Sequence, residues 1–193
     1  MYPTMSLDYL LTNCTLCKLS SNAACIAPLE GAGRLDARYM IVTLNPSSTE
    51  DSNRKHFPHD EGMLLEAMLN SVALSLREFY ATTLVKCRTE FGVTPNKEEV
   101  STCSTTYFDK ELEAVKPTVI LALGGGIGKA ILGDKFSITK QRGVYVWKGY
   151  PTVITYHPRY LLRFPSLESN SPKWQAWSDL KQLKDTINNG IPF

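Results

Sequence analysis

"YMIVTLNPSSTEDSNRKHFP", from Tyr39 to Pro58, changes character at Asn45. Tyr39–Leu44 is a run of strand-forming residues with no polar alternation, the pattern of a strand buried on both faces. At Asn45-Pro46 the apolar pattern stops and a polar loop begins. Phe57 then stands alone between His56 and Pro58, an aromatic side chain in otherwise polar surroundings. The strand therefore carries Asn45 and Pro46 to its carboxyl end and leaves Phe57 in the segment that returns.

Similar apolar runs bounded by turn signals predict strands at Phe79–Val85, Thr118–Leu123 and Thr152–Tyr156, with a weaker one at Val144–Trp147. Helical patterns alternate with them. Glu61–Leu76 sets Met63, Leu64, Ala67, Met68 and Val72 on one face. Lys97–Val115 begins after Thr94-Pro95-Asn96 and stops before Pro117, Ile127–Leu132 is short, and Trp174–Ile187 closes the series. Alternating strands and helices imply a parallel sheet covered on both sides, with ligands at the carboxyl ends of its strands. That edge receives Asn45-Pro46 after the first strand and His157-Pro158 after the last long one.

A chain of 193 residues suits one domain, here 1–193, and 43% apolar with 21% charged residues is ordinary for a globular protein. The longest apolar run, Val119–Leu123, is far short of the ~20 residues that cross a bilayer, so no membrane association is expected. The first residues show no basic n-region and no leader pattern. A net charge of +2 permits a nucleic-acid partner without demanding one. Arg54, Lys55, Lys86, Arg88, Lys140, Arg142, Arg159 and Arg163 fall near loops, and on charge alone they read as a solvated surface.

Five cysteines without a secretory signal argue against a disulfide framework and for metal ligation in a reducing, cytoplasmic compartment. Cys14 and Cys17 form a C-x-x-C knuckle, whereas Cys87 and Cys103 are separated by fifteen residues. Four thiolates suit zinc or a 4Fe–4S cluster, and the split second pair favours the cluster. Cys25 has no partner in this pattern and reads as a small buried or surface residue. "GGGIGKAILG" (Gly124–Gly133) fails the phosphate-loop spacing at Leu123 and Ala130, and reads instead as a close strand-to-helix turn.

The four-cysteine spacing, "ARYMIV" (Ala37–Val42), "LVKCR" (Leu84–Arg88), "FSITKQRG" (Phe136–Gly143) and above all "TYHPRYLLRFPS" (Thr155–Ser166) resemble the uracil-DNA glycosylase superfamily, specifically its iron–sulfur family 4. The resemblance runs from the cysteine knuckle to the last helix. It implies a three-layer α/β/α fold around a central, mostly parallel four-stranded sheet. It also implies a structural 4Fe–4S cluster on Cys14, Cys17, Cys87 and Cys103, and action on a base flipped out of DNA; a monomer is expected.

Residue by residue, the resemblance makes Phe57 the ring that stacks on the base and His157 the donor that stabilises the leaving base. It makes Pro46 part of the base site. Arg159 to Arg163 become the segment entering the minor groove, with Tyr160, Leu161 and Leu162 as wedge and Arg159 or Arg163 meeting phosphate. Two positions depart from the family. Leu44 replaces the acidic residue of the first motif, while Asn45 falls where other branches of the superfamily carry an asparagine able to orient water. Thr83 replaces an asparagine that reads the base edge. The expected activity is hydrolysis of the N-glycosidic bond of uracil or a related modified base, monofunctional because no lysine is placed as a Schiff-base nucleophile. The rival is a DNA-binding or replication-accessory protein that has lost turnover.

Overall fold

The computed structural model describes residues 11, 14–91 and 93–190, so the expectation for the first ten residues lies outside the described residues. Five strands form one sheet: β1 (Tyr39–Thr43), β2 (Phe79–Thr83), β3 (Val119–Leu123), β4 (Gly143–Trp147) and β5 (Tyr150–Thr155). Their order is β2-β1-β3-β5-β4, and only β4 runs antiparallel, to β5. The sheet thus has five strands where four were expected. The weak segment at Val144–Trp147 becomes an edge because Lys148 and Gly149, both at positive φ, close a two-residue hairpin.

The helices are α1 (Ser48–Asn53), α2 (Asp60–Asn70), α3 (Lys97–Cys103), α4 (Asp109–Val115), α5 (Gly125–Leu132), α6 (Pro158–Leu161) and α7 (Pro172–Asn189). A π turn, Ser104–Phe108, joins α3 to α4, so the predicted Lys97–Val115 helix is continuous but bulged. Alternate residues of each strand face opposite layers. Tyr39, Ile41, Phe79, Val119 and Leu121 pack on Leu65 and Leu69 of α2 and on Leu180 and Leu183 of α7. Met40, Val42, Ile120 and Ala122 pack on Phe108, Leu112 and Ile127 from the other side. This is the expected α/β/α sandwich.

One helix face is corrected. On α2 the sheet buries Leu65 and Leu69, while Met63 is 72% exposed. Leu64 and Met68 turn sideways to Leu161, Tyr156 and Ala176. The helix is apolar around more than half its circumference, and the sheet takes the stripe one position away from the predicted one.

Candidate active site

The carboxyl ends of β1, β3 and β5 open into a cleft of about 620 Å³. Asn45, Pro46, Glu50 and His157 all line it, as do Thr43, Arg88, Thr89 and Gly124. The fold therefore brings together the residues following the first and last parallel strands.

α1 anchors the first loop. Ser47 caps it, accepting the Glu50 N–H, while Glu50 reaches back to the Ser47 N–H (3.0 Å) and hydroxyl (2.8 Å). The other Glu50 oxygen accepts the Phe57 N–H at 3.2 Å. Burial alone would raise the Glu50 pKa, but these donors and nearby His157 hold it below the usual carboxylate value, leaving a buried anion at the cleft. Asp51 faces away. It accepts the Ile26 N–H at 3.0 Å, and Arg54 binds the Ala27 and Pro28 carbonyls, so α1 also clamps the cysteine-bearing loop.

Asn45 directs its amide nitrogen to the Thr89 hydroxyl (3.1 Å) and the Pro46 carbonyl (3.4 Å). His157 caps α6, its Nδ1 accepting the Arg159 N–H at 3.1 Å. Burial drives its pKa down to about 4, with Arg159 acting in the same sense and Glu50 opposing. The ring is neutral near pH 7, and since Nδ1 is an acceptor its proton is on Nε2.

Phe57 is buried at 4% exposure, 5.7 Å from the His157 ring, and packs in the core beneath the cleft instead of on its open wall. Its backbone is held by α2: a Cβ on Gly62 would fall 2.4 Å from the Phe57 carbonyl oxygen. Thr83 is fully buried beside its register partner Thr43, and both hydroxyls lack a hydrogen-bond partner among the described residues. Thr43 reaches the cleft; Thr83 does not.

In the C-terminal loop Leu161 is fully buried against Tyr156 and Ala176, so it is core and not a wedge; one turn of α6 points it inward. Leu162, the next residue, is 43% exposed. Tyr160 stacks on Tyr156 at 5.1 Å and lies under Arg163, whose guanidinium is 5.0 Å from the ring. Arg159 is engaged by Glu61 (2.6 Å) and the Ser47 hydroxyl (2.5 Å), which ties this loop to the first. Lys86, read as surface, is instead buried and paired with Glu111 at 2.6 Å.

Cys14, Cys17, Cys87 and Cys103 line one small apolar hollow with Leu11, Val85 and Tyr107. All five cysteines are free thiols, and the Lys86 N–H donates to Cys103 Sγ at 3.3 Å. Among the described residues no three side chains stand in ligating geometry. The donor set nonetheless fits a thiolate-bound centre. Burial pushes Cys103 up to about 11, so thiolates gathered there call for a cation. Cys25 is not isolated. It packs among the other four, and its hydrogen bond to Cys87 leads the effects that lower its pKa to about 7.

Chemically, the cleft opposes a neutral imidazole donor, a buried carboxylate and an oriented amide, a set suited to hydrolysis at a carbon that becomes cationic as an anion departs. Residues 30–181 match the Uracil DNA glycosylase superfamily, and the chain belongs to it. It is 34% identical over 165 residues to the type-4 uracil-DNA glycosylase of Sulfurisphaera tokodaii, covering 80% of this chain and 74% of the relative. The type-4 enzyme of Archaeoglobus fulgidus is 30% identical over 94% of this chain and 92% of its own. A DNA polymerase of Bacillus phage SP01 is 30% identical over 86% of this chain, within 17% of its own length. Among the described residues no helix is long and apolar enough to cross a membrane.

Thr43, Ser47, Glu61 and Thr89 escaped the sequence reading. Ser47 and Glu50 carry a capping-box signal three residues apart. The Thr89 and Glu61 contacts join positions 44 and 98 residues apart, and no local pattern reports them.

Proposed function

We propose that the protein is a uracil-DNA glycosylase of the type-4 class, hydrolysing the N-glycosidic bond of uracil or a related pyrimidine in DNA. The observation that carries this is His157, held neutral with its Nε2 proton available in the cleft that Asn45 and Glu50 also line. The C1′–N1 bond breaks, and the departing base takes its electron pair and a hydrogen bond from Nε2. The buried Glu50 carboxylate offsets the positive charge growing on the sugar. Asn45 orients water toward C1′ by accepting a hydrogen bond from it through Oδ1, and a proton of that water ends on the released base.

The base is flipped out of the stack to reach this depth. Thr43, on the wall of the cleft, meets the base edge, and Phe57 backs the site from the core beneath it through the His157 ring. A hydroxyl both donates and accepts, so Thr43 tolerates carbonyl or amino groups where a fixed amide would choose. Leu162 is the wedge, with Arg88 and Arg163 nearest the strand. Among the described residues no lysine lines the cleft, which supports hydrolysis without lyase chemistry. Cys14, Cys17, Cys87 and Cys103 would hold the 4Fe–4S cluster; when bound it cross-links the cysteine segments and supplies folding stability.

Base release from uracil-containing single- and double-stranded oligonucleotides tests the reading. Wild type releases base, His157→Ala loses about 10²–10³-fold in rate, and Asn45→Ala about 10²-fold. No release from a panel of deaminated and modified bases would overturn it. Kinship with a segment of a phage DNA polymerase favours a second reading, a DNA-binding replication accessory without turnover. That reading expects DNA binding that survives Asn45→Ala.

A further inference from the structure

Asn45 can orient water only if its oxygen, not its nitrogen, faces the cleft. An amide side chain presents either end with nearly equal shape, so something must select. The neighbour in position to do so is Thr89, 5% exposed, on the wall of the same cleft. Its hydroxyl has one proton and two lone pairs. That proton is committed to the Val93 carbonyl, 2.7 Å away. Toward Asn45, at 3.1 Å, Thr89 therefore offers lone pairs only, and the amide end that meets it must be the NH2. The Pro46 carbonyl, 3.4 Å from the same nitrogen, is a second acceptor on that side. A reversed amide would set its oxygen against two acceptors.

We infer that Thr89 is a positioning residue that fixes the Asn45 amide with Oδ1 turned to the cleft. The chain Asn45 NH2 to Thr89 hydroxyl to Val93 carbonyl runs in one direction, and the Val93 carbonyl sets that direction. With its hydroxyl engaged by the Val93 carbonyl and the Asn45 amide, Thr89 acts through Asn45. The inference rests on the glycosylase reading above.

The test compares Thr89→Val, which removes the acceptor at nearly constant volume, with Thr89→Ser, which keeps it. In single-turnover base release from uracil-containing DNA, Thr89→Val falls by about 10²-fold, the scale of a misplaced reacting group. Thr89→Ser keeps most of the rate, and both variants bind DNA carrying a non-hydrolysable 2′-fluoro uracil nucleotide as wild type does. In an Asn45→Ala background Thr89→Val brings no further loss. Full activity in Thr89→Val, a serine variant as slow as the valine one, or losses that multiply in the double variant would each overturn the inference while leaving the glycosylase reading intact. Absence of release by wild type strikes the glycosylase reading instead. A measurement without turnover then decides the geometry. The Asn45 Nδ2 protons, assigned by their loss in Asn45→Ala, exchange slowly with solvent in wild type and Thr89→Ser and rapidly in Thr89→Val. Rapid exchange in wild type would show that the hydrogen bond is absent.

Discussion

His157 shows how a side chain can be legible in sequence while its state is not. Its place after the last parallel strand was readable, whereas its neutrality comes from burial and from the Arg159 N–H, both products of the fold. The linkage has a definite sign. An unfolded histidine takes its proton near ~6.5, but this one resists until about 4. Between those values the unfolded chain binds the extra proton, so stability falls as pH is lowered through that window and levels off below it. The upper limit is about 3 kcal/mol. Buried His56 acts in the same sense, whereas Asp179, raised by burial to about 6, acts in the opposite one. The check is therefore the difference in unfolding free energy between wild type and His157→Gln, which shrinks from pH 7 to pH 4. Thr83 makes a second prediction. Its buried hydroxyl has no hydrogen-bond partner among the described residues, so Thr83→Val should stabilise the protein by about 1 kcal/mol. Base release by the same variant should be kept, because Thr83 lies beneath the cleft and does not line it. Denaturant titration beside a release assay checks both.

Among the elements, the central strands were legible because both faces are covered and their apolar runs are unbroken. Limits shifted where the reason is tertiary. β1 stops at Thr43 because the next two residues turn into the cleft, and α2 ends at Asn70, short of the predicted Leu76. The edge strand β4 was faint because it is only partly covered, with Val146 59% exposed. No apolar periodicity signalled α1, a helix of six residues whose stability comes from its capping box and its clamp on the cysteine loop. The junction between α1 and α2 yields a sharp test. Gly62→Ala drives a methyl into the Phe57 carbonyl, and the neighbour is backbone that cannot swing aside. The variant should lose about 1–3 kcal/mol, and its base release should fall because Phe57 and Glu50 share a hydrogen bond. Thermal unfolding and the release assay read both.

For the molecule as a whole, the cysteine hollow and the cleft lie on either side of α1, with Asp51 and Arg54 facing one and Glu50 the other. Wild-type protein purified without oxygen should be brown with bound iron. Cys103→Ala should lose colour and iron and melt at a lower temperature, since metal affinity adds to folding free energy. Iron analysis and calorimetry check this, and a colourless wild type containing zinc would replace the cluster with the other metal the cysteines suit. The spacing of the four cysteines was visible in the sequence, but the nearness of Cys25 was not, because the turn that returns it to Cys87 is made by contacts from α1.

The strand order has a further consequence, in time and not in space. β3, the most apolar strand, sits at the centre of the finished sheet, yet the neighbour on one side of it, β5, is made 32 residues later (Leu123 to Thr155). At a translation rate of ~5–20 residues per second, a growing chain carries Val119–Leu123 as an open sheet edge for about 2–6 s after that strand emerges from the ribosome. An uncovered edge of this composition is a template for pairing with other chains. Synthesis of this protein thus includes an interval of aggregation risk, which ends only when the segment bearing His157 arrives and completes both the sheet and the site.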